Sequence, residues 1–229
     1  AGGVIIPPRT YWPEIQRICK KYDVLIVSDE VICGFGRTGQ WFGCQTFGFQ
    51  PDLITFAKGV TSGYLPLGGV LVGDRVAQVL IEKGGDFNHG FTYSGHPTTC
   101  AVALENIAIL KRENLIPRIR DDVGPYLKEK FEALVDHPLV GIANAKGLMA
   151  GLLLVKNKST MERFESDKPI GFVCRGHMFS NGMIMRHVGD RMIIAPPFVI
   201  TREQIDGMIA TIRNCLDATL ADAKARGWL

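Results

Sequence analysis

Three short apolar runs follow one another in the first half of the chain, at residues 24–27, 53–57 and 70–72. Continuous runs of this length are typical of strands buried on both faces, as in parallel sheets. Helical patterns lie between them, so the alternation predicts an α/β fold. Asp29 comes just after the first run, and Lys58 directly follows the second. Because ligands of such sheets bind beyond the carboxyl ends of the strands, we expect both residues at a ligand site.

The segments around these runs predict further elements of the first half. Residues 3–6 are expected to form a short strand. A helix should follow, with Pro13 in its first turn. Its apolar residues share one face at helical spacing: Ile15, Ile18, Cys19 and Tyr22. Asp74 is expected to cap another helix that runs to Leu80.

After Pro97 the pattern changes to longer helices and antiparallel strands. Helices are predicted over residues 99–112, 117–135 with an interruption at Pro125, and 169–182. Strands are predicted at residues 140–145, 148–155, 183–186 and 192–194. Thr201 and Gln204 form a capping box that opens the last helix. This α+β pattern predicts a smaller domain of residues 117–229 after a larger domain of residues 1–116.

Lys58 and Asp29 together suit a pyridine cofactor that carries an aldehyde. Burial beside an apolar strand would disfavour the charged ammonium of Lys58 and leave the free amine that condensation needs. The Asp29 carboxylate would keep a pyridine nitrogen protonated, so that the ring accepts electrons. Each residue also has an ordinary alternative, as a solvated lysine at a strand end and as a surface or helix-capping carboxylate. The two residues alone leave these alternatives open.

Composition and charge narrow the class of protein. The 229 residues are 46% hydrophobic and 21% charged, enough for a packed core. The net charge of +3 is small and the sequence contains no run of basic residues, so it predicts no positively charged surface for nucleic acid. No apolar run approaches the roughly 20 residues that cross a bilayer, and no secretory signal is visible. We therefore expect a cytoplasmic protein with neither nucleic-acid nor membrane partners.

The six cysteines lack a C-x-x-C pair, so we expect reduced, mostly packed thiols. The five histidines lack ligand spacing, so we expect no metal site.

Residues 34–39 match the G-x-G-x-x-G pattern of dinucleotide-binding folds. That fingerprint needs a helix that opens on the glycines, whereas residues 40–43 are predicted to continue as a loop. The preceding strand also ends in two acids, Asp29 and Glu30, which would repel a pyrophosphate. A nicotinamide or flavin site is therefore not predicted here.

Four blocks of this sequence resemble the class III aminotransferases, in the order and spacing of that family. The blocks are Ser28–Gly39, Pro51–Gly59, Phe91–Pro97 and Ala195–Pro197. Within the family, the chain is most similar to the omega-aminotransferase branch, in particular to the subfamily that uses putrescine or polyamines with pyruvate. The resemblance implies a fold type I α/β transferase that depends on pyridoxal 5'-phosphate (PLP). Residues 1–116 would be the C-terminal part of its cofactor-binding large domain, and residues 117–229 its small C-terminal domain.

The same resemblance implies a role for several residues. Lys58 matches the lysine that forms the Schiff base and moves the proton between substrate and cofactor. Asp29 matches the partner of the pyridine nitrogen, and Val31 the residue that packs on one face of the ring. Thr92 matches the threonine that reaches the cofactor phosphate of the neighbouring subunit, with Phe91 beside it. This last role implies a homodimer, or a dimer of dimers, with shared active sites.

Arg186 marks a departure from relatives that act on ordinary amino acids. In those relatives, an arginine directly before the aromatic-Ala-Pro-Pro stretch binds the substrate carboxylate, and Ile193 occupies that position here. The omega branch is similar to this chain in placing an arginine earlier, at Arg186. There the side chain swings in for a keto acid and out for an amine without a carboxylate. A surface arginine in a hairpin is the alternative interpretation.

The implied activity is transfer of an amino group from a primary amine or putrescine-like diamine to a keto acid, with pyruvate as the expected acceptor. A decarboxylase or aminomutase of the same fold type shares the lysine and aspartate and stays an alternative. The chain starts abruptly, without methionine, and lacks the family's Gly-Ser phosphate loop and the second ring-stacking aromatic residue. These features predict a fragment without its N-terminal part, so a truncated, non-catalytic piece is a further alternative.

Overall fold

The computed structural model describes residues 2–229, which form two compact units. The first unit comprises residues 7–118. The second unit comprises residues 119–229 together with the N-terminal segment that ends at Ile6. No helix in residues 2–229 is both long and apolar enough to cross a membrane.

The first unit is built on a three-stranded sheet with the order β1-β2-β3. Its strands are β1 (Val27–Asp29), β2 (Leu53–Phe56) and β3 (Gly69–Val72). Its helices are α1 (Tyr11–Lys21), α2 (Gly43–Phe47), α3 (Asp74–Lys83), α4 (Pro97–Arg112) and α5 (Leu115–Arg118). A 3₁₀ turn over Lys58–Thr61 follows β2. Strands β1 and β2 are parallel, whereas β3 runs antiparallel to β2, so the predicted alternation of strands and helices holds for this unit.

The apolar run at residues 24–27 was expected to be a strand buried on both faces, and this prediction is wrong. Only Val27 of the run belongs to β1, and Val24, Leu25 and Val27 are between 43% and 57% exposed. The predicted apolar face of α1 is open as well, with Tyr22 65% exposed. Apolar patterning predicts that a face will be covered by something. Within residues 2–229, nothing covers these faces.

Three smaller predictions about the first half also differ from the structure. Residues 2–8 contain no strand; instead the Ile5 N–H donates to the Gly3 carbonyl in a tight turn, and Val4 packs on Gly151 of the second unit. Asp74 does not cap α3 but is its first residue, after Gly73 in the capping position. The short helix α2 begins at Gly43, inside a segment that was predicted to be loop.

The second unit contains a four-stranded antiparallel sheet with the order β4-β5-β7-β6. Its strands are β4 (Val140–Lys146), β5 (Met149–Leu154), β6 (Arg186–Val188) and β7 (Arg191–Ile194). Its helices are α6 (Gly124–Glu132), α7 (Ile170–Ser180) and α8 (Arg202–Ala225). The predicted pair about Gly147 is present. The second pair is present but shifted, because the strand predicted at residues 183–186 forms at Arg186–Val188. The capping box of α8 is confirmed, because Thr201 Oγ1 accepts from the Gln204 N–H at 3.2 Å and Gln204 Oε1 accepts from the Thr201 N–H at 3.0 Å.

The helix predicted over residues 117–135 is interrupted, as Pro125 indicated. Between α5 and α6, residues Ile119–Val123 form a π turn, and a 3₁₀ turn over Ala133–Asp136 follows α6. Proline has no N–H to donate and its ring displaces the preceding turn, so the regular ladder stops there. Side chains of this segment, including Ile119, Leu127 and Phe131, are fully buried in the core of the second unit.

Candidate active site

Asp29 and Lys58 lie at the same edge of the sheet in the first unit. Strands β1 and β2 are parallel, and Asp29 is paired with Thr55, three residues before Lys58. Neighbouring strands are about 4.8 Å apart. Both residues therefore follow the carboxyl ends of adjacent strands, with Lys58 three residues beyond the partner of Asp29. Asp29 is exposed, and its Oδ1 accepts from the Val31 N–H at 3.1 Å. The sequence therefore predicted correctly that the two residues share a strand-end edge.

Lys58 is held in an unusual backbone conformation. Its φ of +46° lies in the left-handed region, which non-glycine residues rarely adopt and which concentrates at functional sites. The next residue, Gly59, packs so closely on the preceding loop that a Cβ atom there would lie 3.0 Å from the Gly34 carbonyl oxygen. The expected burial of Lys58 is wrong for this chain, since its side chain is exposed.

Lys58 opens into a cleft of about 1020 Å³ that lies wholly within the first unit. Residues 57–68 line one part of it and residues 91–99 another. The predicted site residues Lys58 and Phe91 therefore line the same cleft. Sequence reasoning assigned no role to Tyr64, Tyr93 and His96, which also line it. Aromatic residues in polar loops carry no periodic signal, so only the folded chain shows that they meet.

The other predicted residues, Asp29 among them, do not line this cleft. Val31 follows Asp29 and is half-buried, and Thr92 is exposed in the turn between Phe91 and Ser94. Arg186 belongs to the second unit, where it begins β6 with an exposed side chain. It is directly paired with Ile193 of β7.

Glu30 is a buried carboxylate that the sequence analysis did not separate from Asp29. It is 1% exposed. Its oxygens accept from the Gly43 N–H and the Cys44 N–H, both at 2.7 Å, and from the Ser28 hydroxyl at 3.0 Å. Successive side chains of a strand point to opposite faces, which explains why the two neighbouring acids differ. Glu30 thus anchors the loop after β1, while Asp29 remains exposed at the edge of the sheet.

The loop anchored by Glu30 contains the glycine pattern of residues 34–39. These residues form turns and do not open a helix, so they lack the geometry of a dinucleotide site. Burial raises the pKa of the Cys33 thiol to about 11, with Glu30 and Asp29 adding to the effect. Burial also lowers the pKa of the Arg37 guanidinium to about 10, against the opposing influence of Cys33. All six cysteines are free thiols, and Cys44, Cys174 and Cys215 are buried.

The donor set at this edge fits a cofactor with an aldehyde and a basic ring nitrogen. Lys58 offers an accessible amine, and Asp29 offers a carboxylate for a protonated nitrogen. The exposed rings of Phe91 and Tyr93 and the hydroxyls of Ser94 and Thr99 add apolar and hydrogen-bonding surface to the cleft.

This chain belongs to the class III aminotransferases, whose family model matches residues 1–216. Over 221 residues it is 58% identical to the putrescine–pyruvate aminotransferase of Pseudomonas aeruginosa, a match that covers 96% of this chain and 48% of that protein. The chain therefore spans about half the length of the curated relatives it matches.

Solved structures of omega-transaminases share the fold. The (S)-enantioselective enzyme of Thermomicrobium roseum superposes with a TM-score of 0.91 at 44% identity, over 96% of this chain and 49% of that one. The omega-transaminase of Pseudomonas jessenii, solved in complex with PMP, gives a TM-score of 0.90 at 40% identity, over 95% and 48%. The predicted α/β transferase fold and the resemblance to class III aminotransferases are both confirmed.

Proposed function

We propose that this chain supplies the lysine-bearing part of a PLP-dependent aminotransferase. The observation that carries the proposal is the position of Lys58 and Asp29 at the ends of adjacent parallel strands, in a member of the class III aminotransferase family. Residues 7–118 would belong to the cofactor domain, and residues 119–229 would form the small domain.

Each site residue has a task that follows from its chemistry. PLP, when bound, supplies an aldehyde for covalent attachment and a ring that withdraws electrons. The Lys58 amine would hold the cofactor covalently and would move the proton at the substrate carbon. The Asp29 carboxylate would keep a proton on the ring nitrogen. Val31 would pack against the ring, and Thr92, beside Phe91, would offer its hydroxyl to the cofactor phosphate of the neighbouring subunit.

The substrates we propose are a primary amine or a putrescine-like diamine as donor and pyruvate as acceptor. Arg186 and Ile193 are cross-strand partners, and directly opposed residues project from the same face of a sheet. The Arg186 side chain therefore projects from the same face of the sheet as an arginine at position 193 would. This placement suits a side chain that binds a keto-acid carboxylate and withdraws for an amine without one. The 58% identity to a putrescine–pyruvate aminotransferase supports the same substrates.

We further propose a cytoplasmic homodimer, or a dimer of such dimers, with shared active sites. Thr92 lies in an exposed turn, where it is accessible to a second subunit. The six free thiols suit a reducing compartment.

The first test is covalent trapping of PLP on the purified protein. Borohydride should fix PLP on Lys58 and on no other lysine, as peptide mass spectrometry would show. Lys58→Ala should lose the adduct and all keto-acid-dependent amine consumption, with an unchanged far-UV circular dichroism spectrum. Lys83→Ala, at the exposed end of α3, is the matched control and should behave like wild type. A wild-type protein without an adduct on Lys58 would refute the proposal, and carbon dioxide release in place of amino transfer would point to a decarboxylase.

The second test separates the two substrates. Arg186→Ala should raise the KM for pyruvate by about 10- to 100-fold, the value of a charge-assisted hydrogen bond, and leave the KM for the diamine nearly unchanged. Arg213→Ala, which removes an exposed arginine paired with Asp136 in the same unit, serves as control. Equal losses for both substrates would exclude a carboxylate-binding role for Arg186.

A further inference from the structure

We infer that Asn106 is a positioning residue for Lys58, because its side-chain amide clamps the 3₁₀ turn that begins with Lys58. The inference rests on the proposed role of Lys58. Asn106 lies on α4 and is half-buried, and it was not singled out by any sequence pattern.

All the hydrogen bonds that the structure gives the Asn106 side chain go to this turn. Its Nδ2 donates to the Gly59 carbonyl at 2.9 Å and to the Val60 carbonyl at 3.0 Å. Its Oδ1 accepts from the Ser62 hydroxyl at 2.7 Å. One amide on a long helix therefore binds three of the four residues that follow Lys58.

The turn needs such a clamp, because its backbone is strained at both ends. Lys58 and Ser62 have φ values of +46° and +50°, which places two non-glycine residues in the left-handed region. The backbone hydrogen bonds within the turn are long. The Val60 N–H donates to the Ala57 carbonyl at 3.3 Å, and the Gly63 N–H donates to the Lys58 carbonyl at 3.2 Å. The carbonyls bound by Asn106 lie between the two strained residues. Without these bonds, we expect the backbone to relax towards the common right-handed region.

Relaxation of this turn would change where Lys58 points. Ala57, Lys58 and Thr61 line the cleft together, so a change in φ at Lys58 moves its amine relative to the cleft wall. The turn also packs closely on the loop after β1, since a Cβ atom at Gly59 would lie 3.0 Å from the Gly34 carbonyl oxygen. Asn106 thus holds the turn against the loop that Glu30 anchors. A misplacement of about 1 Å in a reacting group can cost up to 100-fold in rate.

The test uses Asn106→Leu, which keeps the branched shape and the number of heavy atoms of the side chain and removes all three hydrogen bonds. In the protein without PLP, amide hydrogen exchange in a peptide spanning residues 58–63 should be about 10-fold faster, as expected for lost hydrogen bonds. With PLP, the Lys58 amine condenses with the aldehyde and releases water. Borohydride then delivers hydride to the carbon of the C=N bond, and solvent protonates the nitrogen. The rate of trapping should fall about 10-fold.

Two further variants and one kinetic ratio separate positioning from general stability. Glu105→Leu, at the exposed neighbouring residue of α4, should leave exchange and trapping unchanged. Ser62→Ala removes one of the three bonds and should give an intermediate effect. In turnover, Asn106→Leu should lower kcat with less than about a 2-fold change in the KM for pyruvate, because none of its bonds goes to a residue assigned to the keto acid.

The outcomes distinguish this inference from the proposed function. No adduct on Lys58 in the wild type refutes the proposed function and with it the positioning role. If Asn106→Leu traps PLP at the wild-type rate and shows wild-type amide hydrogen exchange, the positioning role is overturned and the proposed function stands. Should that variant not fold, Asn106→Asp decides, since it keeps the volume and the acceptor for Ser62 but loses both donors. Slow trapping in a folded Asn106→Asp supports the role, and a wild-type rate overturns it.

Discussion

Asp29 and Glu30 are adjacent carboxylates whose surroundings divide them between two tasks. Asp29 is exposed at the edge of the sheet, with one hydrogen bond from the Val31 N–H. Glu30 is buried and receives three hydrogen bonds, two of them from the first residues of α2. A negative charge at the start of a helix is also favoured by the helix dipole. One acid is therefore accessible for the role proposed for it, and its neighbour belongs to the framework behind it.

Glu30→Gln tests this division at the level of a single residue. The amide keeps the volume but replaces one acceptor with an N–H₂ group that faces backbone N–H donors. We expect the free energy of unfolding to fall by about 1–3 kcal/mol, the cost of a buried group without a partner. Urea denaturation would measure this change.

The control for Glu30→Gln is Glu14→Gln, which neutralises an exposed acid that pairs with Arg17 on the surface of α1. It should change stability by less than about 0.5 kcal/mol. Equal effects for the two variants would contradict a structural role for Glu30.

At the scale of elements, local signals predicted more of the fold than long-range ones. The capping box at Thr201, the break at Pro125 and the strand pair about Gly147 depend on neighbouring residues, and all three are present. The ends of the apolar runs likewise predicted correctly that Asp29 and Lys58 follow adjacent strands at one edge of the sheet. The predicted strand at residues 3–6 failed because an apolar run is also compatible with an irregular segment that packs on a sheet.

What the sequence could not predict depends on chain segments that meet only after folding. The bonds of Asn106 to the turn after Lys58 connect residues 44 to 47 positions apart. The opposite surroundings of Asp29 and Glu30 depend on α2, a helix too short to leave a periodic pattern. The cleft walls come from two loops without regular structure. Such contacts follow from tertiary packing, which no local pattern encodes.

His137 connects elements of the second unit and makes its stability depend on pH. It lies between the 3₁₀ turn after α6 and β4, and its side chain is 3% exposed. Its Nδ1 accepts from the Leu139 N–H at 3.2 Å, and its Nε2 lies 3.3 Å from Asp217 of α8. Burial lowers the pKa of His137 below its ordinary value of 6.5; Arg213 acts in the same direction, while Asp217 and Asp136 oppose it.

The sign of the pH effect follows from that direction. Because the folded state lowers the pKa, the unfolded chain binds the proton more readily between the folded value and 6.5. The contribution of His137 to stability is therefore fully present above pH 6.5 and is lost as the pH falls through the folded pKa. His137→Asn keeps an acceptor for Leu139 without titrating.

Urea unfolding over a pH series would test this prediction. The loss of stability below pH 6.5 should be smaller in His137→Asn than in wild type. His89→Asn, which alters an exposed loop histidine, should keep the wild-type profile. Identical profiles for wild type and His137→Asn would show that His137 does not carry the effect.

At the scale of the whole molecule, the two units differ in how well they bury their sheets. Strand β5 of the second unit is almost wholly buried, whereas Val70, Leu71 and Val72 of β3 are each between 40% and 51% exposed. Exposed apolar patches of this kind mark surfaces that another polypeptide covers. The matched relatives are about twice as long as this chain, so they have additional residues for such a role.

The 229-residue chain by itself should therefore bind a hydrophobic dye. We expect 8-anilinonaphthalene-1-sulfonate fluorescence at native pH without denaturant, together with self-association in sedimentation. Val27→Thr combined with Val70→Thr and Val72→Thr should reduce both signals, because the three changes make the exposed sheet polar at little cost to β propensity. Val140→Thr, at a fully buried position of β4, should destabilise the fold without reducing dye binding. A chain that binds no dye would contradict the open sheet.

The pairing of Arg186 with Ile193 has a consequence for how this family diversifies. Two directly paired positions of neighbouring strands can each carry an arginine on the same face of the sheet. The position of the positive charge can therefore change by substitution alone, without any movement of the backbone. Two substitutions, at positions 186 and 193, could therefore convert an enzyme whose arginine always binds a carboxylate into one whose arginine binds only when a carboxylate is present. Under the proposed function, we expect the exchange Arg186→Ile with Ile193→Arg to shift the preference from diamine donors to carboxylated donors, measured as the ratio of kcat/KM for the two.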